Sequence, residues 1–103
     1  MYGWNFIWFE WDNHKNNINK SAHGISFEEA TTVFYDENAR LISDDIHSKV
    51  ENRFLILGYS SKARFLIVCH CYRGNDEKIR IISARKANKS ELKQYYQFTK
   101  GLK

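Results

Sequence analysis

Lys78-Ile-Arg-Ile-Ile-Ser-Ala-Arg-Lys-Ala-Asn-Lys-Ser-Glu-Leu-Lys-Gln-Tyr-Tyr96 is the stretch from which the rest of the chain is read. Its first half is β-branched and apolar with arginines set into it, which is a strand pattern. Its second half opens on Asn88 with Glu91 three residues later, the capping-box signature of a helix start. One strand-to-helix unit therefore carries Arg80, Arg85, Lys86, Tyr95 and Tyr96, fixed cations and polar aromatics of the kind that suit a phosphodiester. Alternation raises a difficulty. Arg80 and Arg85 are five positions apart, so a regular strand sends them to opposite faces. They share a face only if the strand bulges or Arg85 lies beyond its end.

Upstream of this unit the chain reads as short strands joined by turns. Residues 73–77 are a loop with Gly74-Asn75 as its turn signal. Residues 65–72 and 53–58 are strands, the latter apolar on both faces as a central strand is, and residues 60–63 turn between them. Residues 41–44 form a short edge strand, and the following loop carries His47. Ser26-Phe-Glu-Glu29 is a capping box, and Phe27, Ala30, Val33 and Phe34 follow as one apolar helix face. Asp12 is the N-cap of an earlier helix that sets Ile18 and Ala22 one turn apart and stops at Gly24. Residues 6–11 are the first strand. The order is β-α-α-β-β-β-β-α. Short turns between the later strands mean antiparallel pairing. The expectation is a single α+β two-layer domain over residues 1–103, its mostly antiparallel sheet covered by helices on one face and open on the other.

Charge is divided unevenly along these 103 residues. Residues 1–51 hold 4 Lys/Arg and 9 Asp/Glu, whereas residues 52–103 hold 12 and 3. A basic second half offers a surface to an anion, and nucleic acid is the commonest such anion for a small domain. The competing reading is that the two halves neutralise each other across the fold. Cys69 and Cys71 flank His70, and residues two apart on a strand share a side, so two reduced thiols are expected rather than a disulfide or a zinc site. Reduced thiols suit a cytoplasmic location. Residues 1–11 lack the basic start and long aliphatic run of a signal peptide, and no stretch approaches the roughly 20 apolar residues of a membrane span.

An ordered set of positions adds a resemblance. Phe9-Glu-Trp-Asp12, Lys15, Asn19, His23-Gly24, Ile25-Ser-Phe-Glu-Glu-Ala30 and Val33-Phe34 come first. Asp45, His47, Glu51, Arg53, Gly58, Ser60, Arg64, Arg73, Arg80-Ile-Ile-Ser-Ala-Arg-Lys-Ala87, Glu91 and Tyr95 follow. Over residues 9–96 this set resembles the BrnT family of toxins; its order, rather than any single motif, carries the likeness. The chain departs from the family pattern at Ala22, where a basic residue is usual, at Asn13 and Glu37 in place of prolines, and at Ala63 in place of glycine. The resemblance implies a RelE-like ribonuclease fold and a type II toxin–antitoxin system. It implies a metal-independent endoribonuclease, without cofactor, that cleaves RNA and inhibits translation and growth. Its partner would be a BrnA-type antitoxin in a heterotetramer, with operator DNA reached only through the antitoxin and no membrane involved.

Metal-free RNA cleavage needs cations on the phosphate, a group that takes the 2′-hydroxyl proton and an acid for the leaving oxygen. Arg53, Arg80 and Arg85 are the candidates for phosphate, because arginine keeps its charge and presents a planar fork. Surface ion pairs with the acidic first half are the alternative. His47 leads for proton transfer, with Glu51 and then Tyr95 after it; a loop histidine held by Asp45 for structure is equally open. Arg64, Arg73, Lys78 and Lys86 are assigned to RNA binding. His23, before the helix-ending Gly24, and His70, in an apolar strand, read as structural. Tyr95 and Tyr96 either stack on bases or pack on the sheet. Trp4, Trp8 and Trp11 read as core or antitoxin interface rather than a stacking platform. A second function stays open: an inactive homologue that binds antitoxin or nucleic acid in autoregulation. A third is an unrelated RNA-binding domain.

Overall fold

The computed structural model of the chain describes residues 7–42, 52–75 and 77–100. The elements run β1 (Trp8–Glu10), α1 (Asn13–His23), α2 (Phe27–Thr32), a 3-10 turn (Val33–Tyr35), β2 (Arg40–Ile42), β3 (Phe54–Tyr59), β4 (Phe65–Arg73), β5 (Lys78–Lys86) and α3 (Lys89–Lys100). This is the α+β order expected. The five strands form one sheet in the order β1-β5-β4-β3-β2, antiparallel except for β1, which runs parallel to β5. The middle of the sheet is β4; β5 lies between it and the short edge strand β1.

Local sequence accounts for the boundaries. The Asp12 carboxylate accepts from the backbone N–H groups of His14 and Lys15 and starts α1, which ends at Gly24 with φ 70°. The Ser26 hydroxyl caps α2 through Glu29 N–H. Asn88 and Glu91 form a complete capping box, each side chain accepting the other's backbone N–H. Gly58 lets the 3-10 turn lie on β3: a Cβ there would sit 2.7 Å from Val33 Cγ1.

Two clusters hold the sheet, one on each side. Ile25, Phe27, Ala30 and Val33 pack on Leu66, Val68, Ile79, Ile81 and Ala84. Tyr95 of α3 packs with Leu57 and Ile67 on the opposite side. The expectation of helices on one face is thus corrected: α1 and α2 cover one face and α3 crosses to the other. The reason lies in β4, where Leu66 and Val68 alternate with Phe65 and Ile67, so both faces need cover. Ile18 and Ala22 are exposed, and the helix buries Asn16 and Asn19 instead. Asn16 accepts from Phe27 N–H and donates to Glu28, while Asn19 donates to the Ile25 carbonyl. Buried amides replace an apolar stripe here because they satisfy backbone groups that would otherwise be stranded. No described helix is long and apolar enough to cross a membrane.

Candidate active site

The site is built on an irregularity of β5. Arg85, Ala84 and Ser83 lie opposite Ile67, Val68 and Cys69, whereas Ile81, Arg80, Ile79 and Lys78 lie opposite His70, Cys71, Tyr72 and Arg73. Ile82 is left over as the extra residue of a β-bulge. Arg80 and Arg85 therefore face Cys71 and Ile67, two positions on the same side of β4. The bulge resolves the parity difficulty: both arginines are on the α3 side of the sheet, about 13 Å apart along the strand. Lys78 and Arg73, opposite one another, continue the same side toward the end of the hairpin. Arg73, Lys78, Arg80 and Arg85 form a run of cations on the part of this face that α3 leaves uncovered.

At the α3 end of this run is a cleft of about 170 Å³, lined by Arg53, Leu55, Ile67, Cys69, Ile82, Ser83, Ala84, Arg85 and His23. Arg53 is exposed at the start of β3, and no described carboxylate pairs with it. Arg85 is fixed by a fork-to-fork pair with Glu91, at 2.8 Å and 2.9 Å. That arginine is the main reason the Glu91 carboxyl sits below its usual range, with the Asn88 N–H adding to the effect. Because Glu91 also closes the capping box of α3, the start of the helix and the orientation of Arg85 are one structural unit. Arg53 and Arg85 line the same concavity, and guanidinium is the side-chain group whose charge and planar donors match a phosphate or another oxyanion. The small volume and apolar floor of the cleft suit the phosphodiester alone rather than a whole nucleotide.

The family profile described as "Ribonuclease toxin, BrnT, of type II toxin-antitoxin system" matches residues 11–91. The chain belongs to this family. As a BrnT-family member it is a ribonuclease toxin of a type II toxin–antitoxin system, and that class implies an antitoxin partner. Among solved structures, the crystal structure of the Brucella abortus ribonuclease toxin BrnT is similar, with a TM-score of 0.62 and 20% identity. The match covers 82% of this chain and 100% of that one. At that identity the likeness shows the fold. No curated protein matches the chain.

The BrnT fold brings together only part of the residue set expected from sequence. Arg53 and Arg85 meet in the cleft, and Arg80, Arg73 and Lys78 share its face. Arg80 is held by Glu10, 3.0 Å away on the neighbouring strand. His47 and Glu51 lie outside the described residues. Tyr95 does not reach the cleft. It is buried, and its hydroxyl donates to Asp36 at 2.8 Å. Burial first, and then the Asp36 carboxylate, push its pKa up to about 12. Arg64 is turned toward α2, where it pairs with buried Glu29 and donates to the Gly24 carbonyl. Lys86 lies opposite Leu66 and so belongs to the α1/α2 side. His23, which reads from sequence as structural, also lines the cleft. The signal for that placement was Asn19, one turn before it and equally part of the ordered set, whose burial fixes where the end of α1 falls.

Proposed function

We propose that this toxin cleaves RNA by attack of a 2′-hydroxyl on the adjacent phosphate, leaving a cyclic phosphate and a 5′-hydroxyl, with no metal or cofactor required. Arg53 and Arg85 hold the phosphate and stabilise the charge that builds on it. Arg80, Lys78 and Arg73 guide the flanking strand along the same face. His47 and Glu51 remain proton-transfer candidates on the strength of the family resemblance. A BrnA-type antitoxin binds the toxin in a heterotetramer and carries it to operator DNA. The observation behind this reading is the convergence of Arg53 and Arg85 on one cleft, on the face that also carries the cation run.

Cleavage of RNA by purified protein in excess EDTA tests it. Arg53→Ala is the cleaner variant, since Arg53 is exposed, and it should lose about 10²-fold in cleavage rate. Arg85→Lys keeps a charge beside Glu91 but loses the fork, and it should fall by a similar factor. Lys78→Ala should weaken RNA binding and lower its salt dependence by about one phosphate contact, while Lys86→Ala should do neither. Intact RNA with folded wild-type protein would leave the inactive-homologue reading in possession.

A further inference from the structure

We propose that His23 is a catalytic residue of this cleft and takes the 2′-hydroxyl proton. The inference rests on the ribonuclease reading above and gives the proton-acceptor role to a described residue in place of His47 or Glu51. β1 pairs only with Lys78, Ile79 and Arg80, so beyond Arg80 the outer edge of β5 has no strand beside it among the described residues. Asn19 fills the gap. Its side-chain amide donates to the Ala84 carbonyl at 2.8 Å, and its side-chain oxygen accepts from Ala84 N–H at 3.1 Å. The same amide donates to the Ile25 carbonyl at 2.9 Å. One side chain thus pins the last turn of α1 to β5 just past the bulge.

His23 is one helical turn after Asn19 and projects from the same side of α1. Although α1 packs on the far face of the sheet, its end overhangs the β5 edge. His23 therefore lines the cleft together with Arg53 and Arg85. The left-handed Gly24, whose N–H donates to the Lys20 carbonyl, turns the chain away directly after it. The ring is exposed, and no hydrogen bond to a described residue ties it to a structural task. The other described groups facing the cleft from β3, β4 and β5 are two arginines, the Cys69 thiol, the Ser83 hydroxyl and apolar side chains. Arginine stays protonated, and thiol and hydroxyl are weak bases near neutrality. Imidazole is the ordinary proton acceptor in that range. With the phosphate between Arg53 and Arg85, the neutral ring accepts the proton of the 2′-hydroxyl as its oxygen bonds to phosphorus. The bond from phosphorus to the 5′-oxygen breaks, and that oxygen takes a proton from water. The arrangement also gives a chemical sense to Asn19: it positions the base.

The test is the pH profile of cleavage at saturating RNA for wild type, His23→Gln and the control His14→Gln, an exposed histidine of α1 away from the cleft. His23→Gln should lower kcat by about 10²-fold or more, leave KM nearly unchanged, and abolish the rise of kcat with pH through the neutral range. His14→Gln should match wild type. A wild-type profile in His23→Gln overturns the assignment, as does a loss confined to KM. Disappearance of the alkaline limb alone overturns the base role by making the ring the acid. Wild-type protein that leaves RNA intact removes the ribonuclease reading itself and this role with it. A loss in His23→Gln alone touches only the assignment of the residue.

Discussion

At Asp36 a single carboxylate collects three donors. Its Oδ1 accepts from Asn38 N–H at 2.9 Å, and its Oδ2 accepts from Tyr59 N–H and from the Tyr95 hydroxyl, both at 2.8 Å. The Tyr95 ring meanwhile lies against Phe65, 4.8 Å between centroids. Tyr95 is thus the bolt between α3, the 3-10 turn and β3. The elevation of its pKa to about 12 keeps the phenol protonated as a donor. Such a residue contributes to the cleft at a distance, because α3 also carries the Glu91 that fixes Arg85. Tyr95→Phe removes one hydrogen bond to a charged acceptor and little volume, so it should cost about 1–2 kcal/mol in urea unfolding. Its RNA cleavage at a temperature where it is folded should match wild type. A stable Tyr95→Phe protein that fails to cleave would put the phenol back among the reacting groups.

The β3–β4 turn shows how an element carries a family departure. Ala63 adopts φ 60°, the left-handed region where a Cβ is strained, at the position where glycine is common in the family. The turn is otherwise well tied, with Ser60 N–H donating to the Arg64 carbonyl at 2.8 Å and Ala63 N–H to the Ser60 carbonyl at 2.9 Å. Ala63→Gly should therefore stabilise the domain by about 0.5–1 kcal/mol. Relief of left-handed strain, roughly 1–2 kcal/mol, exceeds the extra entropy that glycine brings to the unfolded chain. A higher urea midpoint with an unchanged slope would bear this out, and a lower midpoint would refute it. Turns and caps of this kind were legible in the sequence because their chemistry is local: Asp12, Gly24, Ser26 and the Asn88–Glu91 box all act within a few residues. What was not legible depends on partners distant in the chain. The bulge at Ile82 is visible only against β4, and His23 enters the cleft only because Asn19 meets Ala84, 65 positions away. The inward side of α1 was equally hidden, because Asn16 and Asn19 do the work usually left to aliphatic side chains.

Across the whole molecule, the cations of the basic half divide into two groups. Arg64 and Arg80 from the basic half pair with Glu29 and Glu10 from the acidic half, whereas Arg53, Arg73 and Lys78 are left to face outward. The buried ionisable groups then decide how stability follows pH. His70 is fully buried among Phe34, Phe54 and Tyr72. Its Nδ1 donates to the Val68 carbonyl at 3.1 Å, and its Nε2 has no hydrogen-bond partner among the described residues. A proton added at Nε2 would be buried and unsatisfied, so desolvation holds the ring below its usual pKa despite the opposing effect of that carbonyl. Below about pH 6.5 the unfolded chain accepts a proton that the folded state refuses, so stability falls as pH drops through that value. Glu29 and Glu91 act lower down. Burial alone would raise the Glu29 carboxyl, but hydrogen bonds from Arg64 and Ser60 outweigh it, and Arg85 lowers Glu91. Their contribution is complete above an unfolded pKa of 4.5 and disappears as pH falls through their lowered folded values. Urea midpoints measured from pH 8 to pH 3 should thus decline in two stages. In His70→Leu the first stage, between about pH 7 and pH 5, should flatten while the second persists. If the variant keeps the wild-type slope through the first stage, the buried imidazole is not its source.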